Sequence, residues 1–466
     1  MSLNPLSQSH VRVEVDFYDE AERDKLLAYP TRDKIKELVG QPVEVPMAEF
    51  LVNYLLHKKR LGTPGFKDRA AIGRKLGNAL AHLDGCVDFN GHSICTAEGL
   101  TEQLTEVTEH IGESIGLSIV NHIHGLNEAD WTPIPQQRGR SAQPTFDFEI
   151  ALPSVHEKQR ISIPMEVDAD DNDAFDFPDE RRRSLPPDRD FEDDIASDGG
   201  ALVQLENKGS TALDNRVHSS AVVAQKRRID QKKAKLQARD EVRPDSPAAR
   251  TIRYGTIAVL DPRQDGNVRC WLTDPPGDEV QPDPRRVRLL RRLQFMREWI
   301  SFVSPRAQLA SALATRIADL ATLRDPFELD RVPLSRASGE PFSADSDFAS
   351  WSFWANKSAV GASVGGVVVQ LNKDALMLLG IRHAVVGLAI EQSFDEVLAY
   401  QFEPMTLTDA VVKCVFSDGR FKSLQLPASV AALRNRQGGY SSFDLQGNVH
   451  YSPSGVALAV LPLPQE

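Results

Sequence analysis

The sequence predicts a mixed α/β (α+β) fold that extends over more than one domain. Its 466 residues exceed the roughly 100–200 residues of a typical domain. The hydrophobic fraction of 41% and the charged fraction of 26% are close to those of globular proteins. Segments with apolar residues at every second position alternate with segments where they recur every three or four positions, which predicts both strands and helices.

The composition also excludes several classes of protein. No run of about 18 uncharged apolar residues occurs, so we expect no membrane-spanning helix and no membrane partner. The N-terminal residues lack the basic start and apolar block of a secretory signal. The cysteines are far apart and form no Cys-x-x-Cys pair, which argues against a disulfide framework and a zinc ribbon. We therefore expect a cytoplasmic protein. The four cysteines are Cys86, Cys95, Cys270 and Cys414.

Residues 1–98 are expected to form a mixed, mostly helical lead-in region. Alternation over residues 11–17 predicts a strand, and residues 46–60 predict a short amphipathic helix. No motif that carries chemistry occurs in this region.

Residues 99–275 are expected to form a second domain. A long helix is predicted over 99–125, where Gly125 suits the C-terminal end. Residues 166–198 carry fourteen acidic residues against four arginines, and we expect them to form a flexible insertion. The other predicted elements are strands at 145–152, 160–167, 201–207 and 254–261 and a helix over 219–240.

Residues 280–466 are expected to form a third region of mixed α/β character. Helices are predicted over 285–324, with a break at Pro305. Asp418-Gly419 is typical of a hairpin turn. Strands are predicted at 367–372 and 411–424.

The net charge of −12 conceals two basic runs. Residues 226–239 contain seven basic residues and one Asp, and residues 285–292 read RRVRLLRR. We therefore expect two local cationic surfaces, which keeps a nucleic-acid partner open despite the acidic total.

Acidic and basic side chains share strand faces within residues 99–275. Residues two apart in a strand lie on one face, so Asp147 and Glu149 project together, as do Glu206 and Lys208. Carboxylates from neighbouring strands can bind Mg²⁺ and activate a water for attack on a phosphodiester. A lysine beside them can stabilise the charge that builds on the phosphate.

These residues resemble the PD-(D/E)xK nuclease superfamily. Residues 144–149 (PTFDFE) would supply the first acid and residues 205–208 (LENK) the Glu-x-Lys motif. The resemblance covers 99–261 and implies a restriction-endonuclease-like mixed sheet flanked by helices. It also implies metal-dependent cleavage of DNA, with Mg²⁺ or Mn²⁺ as the cofactor.

The resemblance assigns roles residue by residue. Asp147, Glu206 and Glu113 would hold the metal, and Lys208 would act with them in catalysis. Glu109 is the alternative to Glu113, and an acidic stripe that is simply solvated is the competing interpretation of both. The choice between Asp147 and Glu149 stays open, because Thr145 and Phe146 separate Pro144 from Asp147.

The basic helix after the Glu-x-Lys strand is expected to contact the nucleic-acid backbone, with a merely solvated helix as the alternative. The residues expected to make these contacts are Lys226, Arg227, Arg228, Lys232, Lys233 and Lys235.

The two-part layout also resembles the subunit of short prokaryotic Argonaute systems in which a nuclease is fused to an APAZ region. That resemblance implies an antiviral effector, activated by an Argonaute-like partner, that cleaves DNA, and it leaves RNA open as a further substrate. The alternatives are a stand-alone restriction endonuclease that reads DNA through 280–466, and a non-catalytic scaffold that binds nucleic acid.

Overall fold

The structure is a computed structural model, and it describes most of the chain. The described residues are 4–28, 32–56, 69–97, 105–133, 147–149, 203–211, 219–242, 252–260, 268–273, 285–304, 307–323, 326–344, 348, 351–355, 364–417 and 428–463. Within them, helices and mixed sheets confirm the predicted mixed α/β class.

The helices and strands follow one another along the whole chain. The helices are α1 (Glu20–Leu26), α2 (Arg32–Leu38), α3 (Met47–Leu56), α4 (Arg69–Cys86), α5 (Thr105–His124), α6 (Ser220–Val242), α7 (Arg285–Val303), α8 (Gln308–Thr322), α9 (His383–Glu391), α10 (Phe394–Ala399) and α11 (Ala428–Ala432). The strands are β1 (His10–Phe17), β2 (Val43–Pro46), β3 (Val87–Asn90), β4 (Ser93–Thr96), β5 (Thr132–Pro133), β6 (Phe148–Glu149), β7 (Val203–Thr211), β8 (Ile252–Leu260), β9 (Val268–Thr273), β10 (Trp351–Ala355), β11 (Val364–Asn372), β12 (Ala375–Arg382), β13 (Met405–Ser417), β14 (Asn435–Gln437), β15 (Tyr440–Tyr451) and β16 (Val456–Pro462).

Several predicted elements correspond closely to observed ones. Helix α5 ends just before Gly125, whose φ of 63° is the left-handed conformation that glycine adopts at a helix end. Strand β7 contains the Glu-x-Lys motif and extends further than expected, to Thr211. The predicted strand at 160–167, the acidic insertion at 166–198 and the turn at Asp418-Gly419 lie outside the described residues.

The first sheet has seven strands in the order β2-β1-β9-β8-β7-β6-β5. Strand β1 is parallel to β9 and β7 is parallel to β8, while the other pairings are antiparallel. Residues 1–98 are therefore not a separate lead-in, since two of their strands complete this sheet. The expected boundary at residue 98 is corrected on this ground.

Helices α5 and α6 cover opposite faces of this sheet. Successive β8 side chains point to opposite faces. Ala258 and Leu260 belong to the core on the α5 side. Ile257 and Val259 pack with residues of α6, including Ile229. The central strands are thus buried on both faces.

Two glycines let α5 approach β7 very closely. A Cβ on Gly112 would lie 2.5 Å from the Cα of Gly209, and a Cβ on Gly209 would overlap the carbonyl oxygen of Thr108. Real carbon atoms do not pack so tightly, so only glycine fits at this crossing. The contact holds the helix against the strand that carries Glu206 and Lys208.

A Gly112→Ala variant is expected to lose about 1–3 kcal/mol of unfolding free energy, because the added methyl group forces the helix away from β7. The matched control is Gly387→Ala in α9, where a Cβ would meet nothing within 4 Å. Alanine there should be neutral or stabilise by up to about 1 kcal/mol. Urea denaturation measures both; equal stabilities in the two variants would contradict the close packing.

The second sheet has the order β13-β10-β11-β12-β16-β15-β14, and β13 also pairs with β15. The extra pairing closes six strands into a ring of antiparallel neighbours. Helix α4, from the N-terminal region, lies against β11, where Gly73 and Gly77 approach the backbone of Gln370 and Leu371. The N-terminal residues thus contribute to the packing of both sheets.

The second basic run is buried rather than exposed at the described positions. Arg292 is 0% exposed, and its Nε and Nη2 donate to the two carboxylate oxygens of Asp130 at 2.7 and 3.0 Å. Its Nη1 donates to the carbonyl oxygens of Val397 and Tyr400. Arg288 adds a second ion pair to Asp130 at 2.9 Å. The expectation of a cationic surface at 285–292 is therefore corrected: these arginines join α7 to the segment after α5.

Two buried glutamates, Glu49 and Glu128, lie near this ion-pair cluster. Asn121 donates to Glu49 on α3 at 2.7 Å, and the backbone N–H of Ser454 donates to Glu128 at 3.1 Å. Burial raises the pKa of Glu49 to about 7. Burial, followed by the charge of Glu49, raises the pKa of Glu128 to about 8. At least one of these carboxyl groups is therefore protonated near neutral pH.

We expect the free energy of unfolding to fall as the pH rises from about 4.5 to about 8. A raised pKa in the folded state stabilises the fold below the unfolded value and loses that contribution as the pH passes the folded value. Glu128→Gln should remove this slope in part, with a gain at pH 8 on the order of 2–4 kcal/mol. The control is Glu391→Gln, at an exposed position. Urea titrations across the pH range test the slope, and an unchanged slope in Glu128→Gln would contradict it.

Candidate active site

The pairing of β6 with β7 sets the geometry of the candidate site. Phe148 pairs with Leu205, and the backbone N–H of Asp147 donates to the Leu205 carbonyl oxygen at 3.1 Å. Asp147 therefore lies beside the residue that precedes Glu206. Two carboxylates that are 59 positions apart in sequence become neighbours through this pairing.

Lys208 joins the two carboxylates. Its Nζ lies 2.5 Å from Oε1 of Glu206 and 3.6 Å from Oδ2 of Asp147. Glu206 and Lys208 are two apart in β7, so they share the face of the sheet that α6 covers. The structure thus brings together Asp147, Glu206 and Lys208, the three residues that the sequence grouped.

A second lysine, Lys232 on α6, also enters the site. Its Nζ lies 2.7 Å from Oε1 and 2.6 Å from Oε2 of Glu206, and 3.9 Å from Oδ1 of Asp147. The sequence predicted Lys232 to contact nucleic acid. Its described partners are instead the two carboxylates of the candidate site.

Asn207, the middle residue of the Glu-x-Lys motif, positions the others. Its backbone N–H donates to Oδ2 of Asp147 at 3.2 Å. On the opposite face of the sheet its side chain accepts from the hydroxyl of Thr256 at 2.6 Å and donates to the carbonyl oxygen of Glu113 at 3.5 Å. This role of Asn207 was not predicted from the sequence. The available signal was a polar residue on the buried face of an apolar strand, which requires hydrogen-bond partners.

Burial dominates the electrostatics of the site. The Glu206 side chain is 1% exposed and that of Asp147 is 7% exposed. Burial, with the charge of Glu206, raises the pKa of Asp147 to about 6 against the opposing effect of Lys208. Burial lowers the pKa of Lys208, but the Asp147 and Glu206 carboxylates outweigh it, so that pKa is raised. Lys208 is therefore held as an ammonium.

The remaining acidic candidates occupy different environments. Glu113 is 1% exposed, and its charge contributes to the raised pKa of Asp147. It is therefore not part of a solvated stripe. Glu109, one turn earlier, is exposed, and its charge helps to raise the pKa of Lys208. Glu149 is the second residue of β6, and its backbone pairs with Gln204.

The basic helix α6 does not present all of its cationic residues to solvent. Lys226 is buried, and its Nζ contacts Glu22 at 3.0 Å and Asp230 on its own helix. Lys233 is also buried. Both placements correct the expectation that these two lysines lie on a nucleic-acid surface. The exposed members of the predicted set are Arg227, Arg228 and Lys235.

The donors at this site are of the kind that Mg²⁺ and Mn²⁺ prefer. No group of three or more His, Cys, Asp or Glu residues arranged to hold a metal occurs among the described residues. However, Mg²⁺ is commonly bound by one or two carboxylates, with water and substrate phosphate completing the shell. Asp147 and Glu206 already converge on one cation, the Lys208 ammonium. The pair therefore fits a divalent cation by ligand type.

Comparisons with protein-family models, curated protein sequences and solved structures found no match. Of the helices within the described ranges, none is both long enough and apolar enough to cross a membrane. The four cysteines are buried, and no disulfide joins them.

Proposed function

We propose that the protein is a metal-dependent nuclease that hydrolyses phosphodiester bonds in DNA. One observation carries the proposal. Asp147, directly before β6, and Glu206, on the neighbouring strand β7, converge on the ammonium of Lys208 within a largely buried cluster. Paired carboxylates with a lysine are the groups that this reaction needs.

Each residue has a role in the proposed reaction. Bound Mg²⁺ or Mn²⁺ would supply Lewis-acid activation of the phosphate and of the attacking water. Asp147 and Glu206 would hold that cation, with Glu113 adding negative charge nearby. Lys208, kept protonated by both carboxylates, would stabilise the charge that develops on the phosphate. Asn207 would keep Asp147 in position through its backbone N–H.

Substrate binding is proposed to involve the exposed residues of α6. Arg227, Arg228 and Lys235 are exposed on the helix that delivers Lys232 to the site. Contacts with phosphates require no base recognition, so RNA is a further proposed substrate.

A more specific biological role is also proposed, and it rests on the resemblance of the sequence to the nuclease subunit of short prokaryotic Argonaute systems. We propose that residues 280–466 bind an Argonaute-like partner in the cytoplasm and that this partner activates cleavage in antiviral defence. The test is co-expression with the adjacent reading frame, followed by purification of the complex. Purification of the nuclease without any partner would contradict this role but leave the nuclease proposal intact.

The nuclease proposal is tested by incubating the purified full-length protein with labelled single-stranded DNA, duplex DNA and RNA. Cleavage should require Mg²⁺ or Mn²⁺ and stop with EDTA. Cleavage that is insensitive to EDTA would contradict the metal-dependent mechanism. An absence of cleavage by both the isolated protein and its co-purified complex would contradict the proposal as a whole.

Asp147→Asn is expected to lower the cleavage rate more than Glu149→Gln. Asp147 shares the Lys208 cation with Glu206 and accepts the Asn207 N–H, so its loss removes one half of the carboxylate pair. We expect a loss of about 10²-fold or more for Asp147→Asn. Single-turnover rates under saturating Mg²⁺ provide the measurement. The opposite ranking would assign the first acid to Glu149.

A further inference from the structure

Two lysine ammonium groups, of Lys208 and Lys232, contact the two carboxylates of the candidate site. Lys208 contacts one oxygen of Glu206, whereas Lys232 lies within 2.7 Å of both oxygens. Both lysines also face Asp147, at 3.6 and 3.9 Å. The formal charges of these four groups cancel. The structure thus describes a site whose carboxylates are already neutralised from within the chain.

This arrangement conflicts with the entry of a divalent cation. A carboxylate oxygen has about two lone pairs, and the ammonium of Lys232 lies against both oxygens of Glu206. A metal ligated by Glu206 would lie close to that ammonium, and like charges in a buried site repel strongly. One ammonium group must therefore withdraw when the metal binds.

The positions of the two lysines indicate which one withdraws. Lys208 follows Glu206 by two residues on the same strand face, so its backbone keeps it beside the carboxylates. Lys232 belongs to a different element, and its neighbours four residues before and three residues after it, Arg228 and Lys235, are exposed. Its side chain therefore lies between the buried carboxylates and the exposed basic side of α6.

We propose that Lys232 is an internal counter-ion that competes with the divalent cation for Glu206 and so sets the metal affinity of the site. This inference rests on the proposed nuclease function and adds a positioning residue to it. Lys232 neutralises Glu206 in the metal-free protein and releases it when the metal binds. Removing the Lys232 charge therefore strengthens metal binding, whereas a purely structural lysine would weaken it or leave it unchanged.

The test is the affinity of the full-length protein for Mn²⁺, measured by electron paramagnetic resonance and by calorimetry. Lys232→Gln should bind Mn²⁺ at least about tenfold more tightly than the wild type, since one adjacent charge shifts proton binding by about 1–3 pKa units. The control is Lys373→Gln, an exposed lysine between β11 and β12, whose Mn²⁺ affinity should equal that of the wild type. Equal or weaker Mn²⁺ binding by Lys232→Gln would overturn the inference.

A second measurement uses the wild type, in case Lys232→Gln does not fold. A crystal structure with Mn²⁺ at Glu206 should show the Lys232 ammonium beyond ion-pair distance from that carboxylate. A retained ion pair would overturn the inference while supporting the nuclease proposal. A wild type that binds no Mn²⁺ by either method would overturn both.

Discussion

Lys208→Ala and Glu206→Ala are each expected to lower the rate of metal-dependent cleavage by about 10²-fold or more. Lys208→Ala removes the ammonium that both carboxylates hold in its charged form. Glu206→Ala removes the carboxylate that contacts both lysines. The loss should appear in the chemical step, so single-turnover rates are the appropriate measurement.

The control for these variants is Lys373→Ala, an exposed lysine between β11 and β12. It should cleave at the wild-type rate. Circular dichroism and urea denaturation should show that Lys208→Ala remains folded. Wild-type cleavage rates in a folded Lys208→Ala or Glu206→Ala variant would remove these residues from the mechanism.

Asp130→Asn is expected to be the most destabilising of the substitutions discussed, with a loss of about 3–5 kcal/mol of unfolding free energy. The change leaves Arg292 fully buried without a counter-charge, and Arg288 loses the same partner. Although burial opposes ionisation, the charge of Arg292 holds the pKa of Asp130 below its ordinary value. The stabilisation by the ion pair is therefore present at neutral pH and is lost only as the pH falls through that lowered value.

The matched control is Arg336→Met, which breaks an ion pair with Glu340 whose carboxylate side chain is 70% exposed. Exposed pairs contribute about 0–1 kcal/mol, so this change should be nearly silent. Denaturant midpoints compare the two variants directly. A loss below about 1 kcal/mol for Asp130→Asn would show that the buried pair does not hold α7 in place.

The local elements and the grouping of site residues could be predicted from the sequence. The short apolar run that ends at Glu206 predicts a strand, and Glu206 and Lys208, two residues apart, then share one of its faces. Likewise, Gly125 at the end of a regular apolar pattern marks the end of α5. These inferences depend only on residues that are near one another in the chain.

The partners of the charged residues could not be predicted, because they depend on contacts between distant segments. Lys226 pairs with Glu22, and Arg292 pairs with Asp130. Arginine and lysine are usually exposed, so a basic run is normally interpreted as a surface. Burial with a partner from another segment leaves no local trace in the sequence. The placement of Lys232 at Glu206 was missed for the same reason.

The parallel pairing of β1 with β9 has a consequence for how the chain folds during synthesis. Val13 lies opposite Val268, so β1 has no parallel strand beside it until almost 60% of the chain has been translated. At about 5–20 residues per second, that interval lasts roughly 10–50 s. Until then its described partners are β2, a single parallel bridge from Val15 to Val39, and the carbonyl oxygen of His92, which accepts from the Arg12 N–H. Non-local pairing of this kind slows folding. The ribosome must therefore pass residue 273 before all seven strands of the first sheet are present. A pause in translation beyond that point gives the sheet time to assemble.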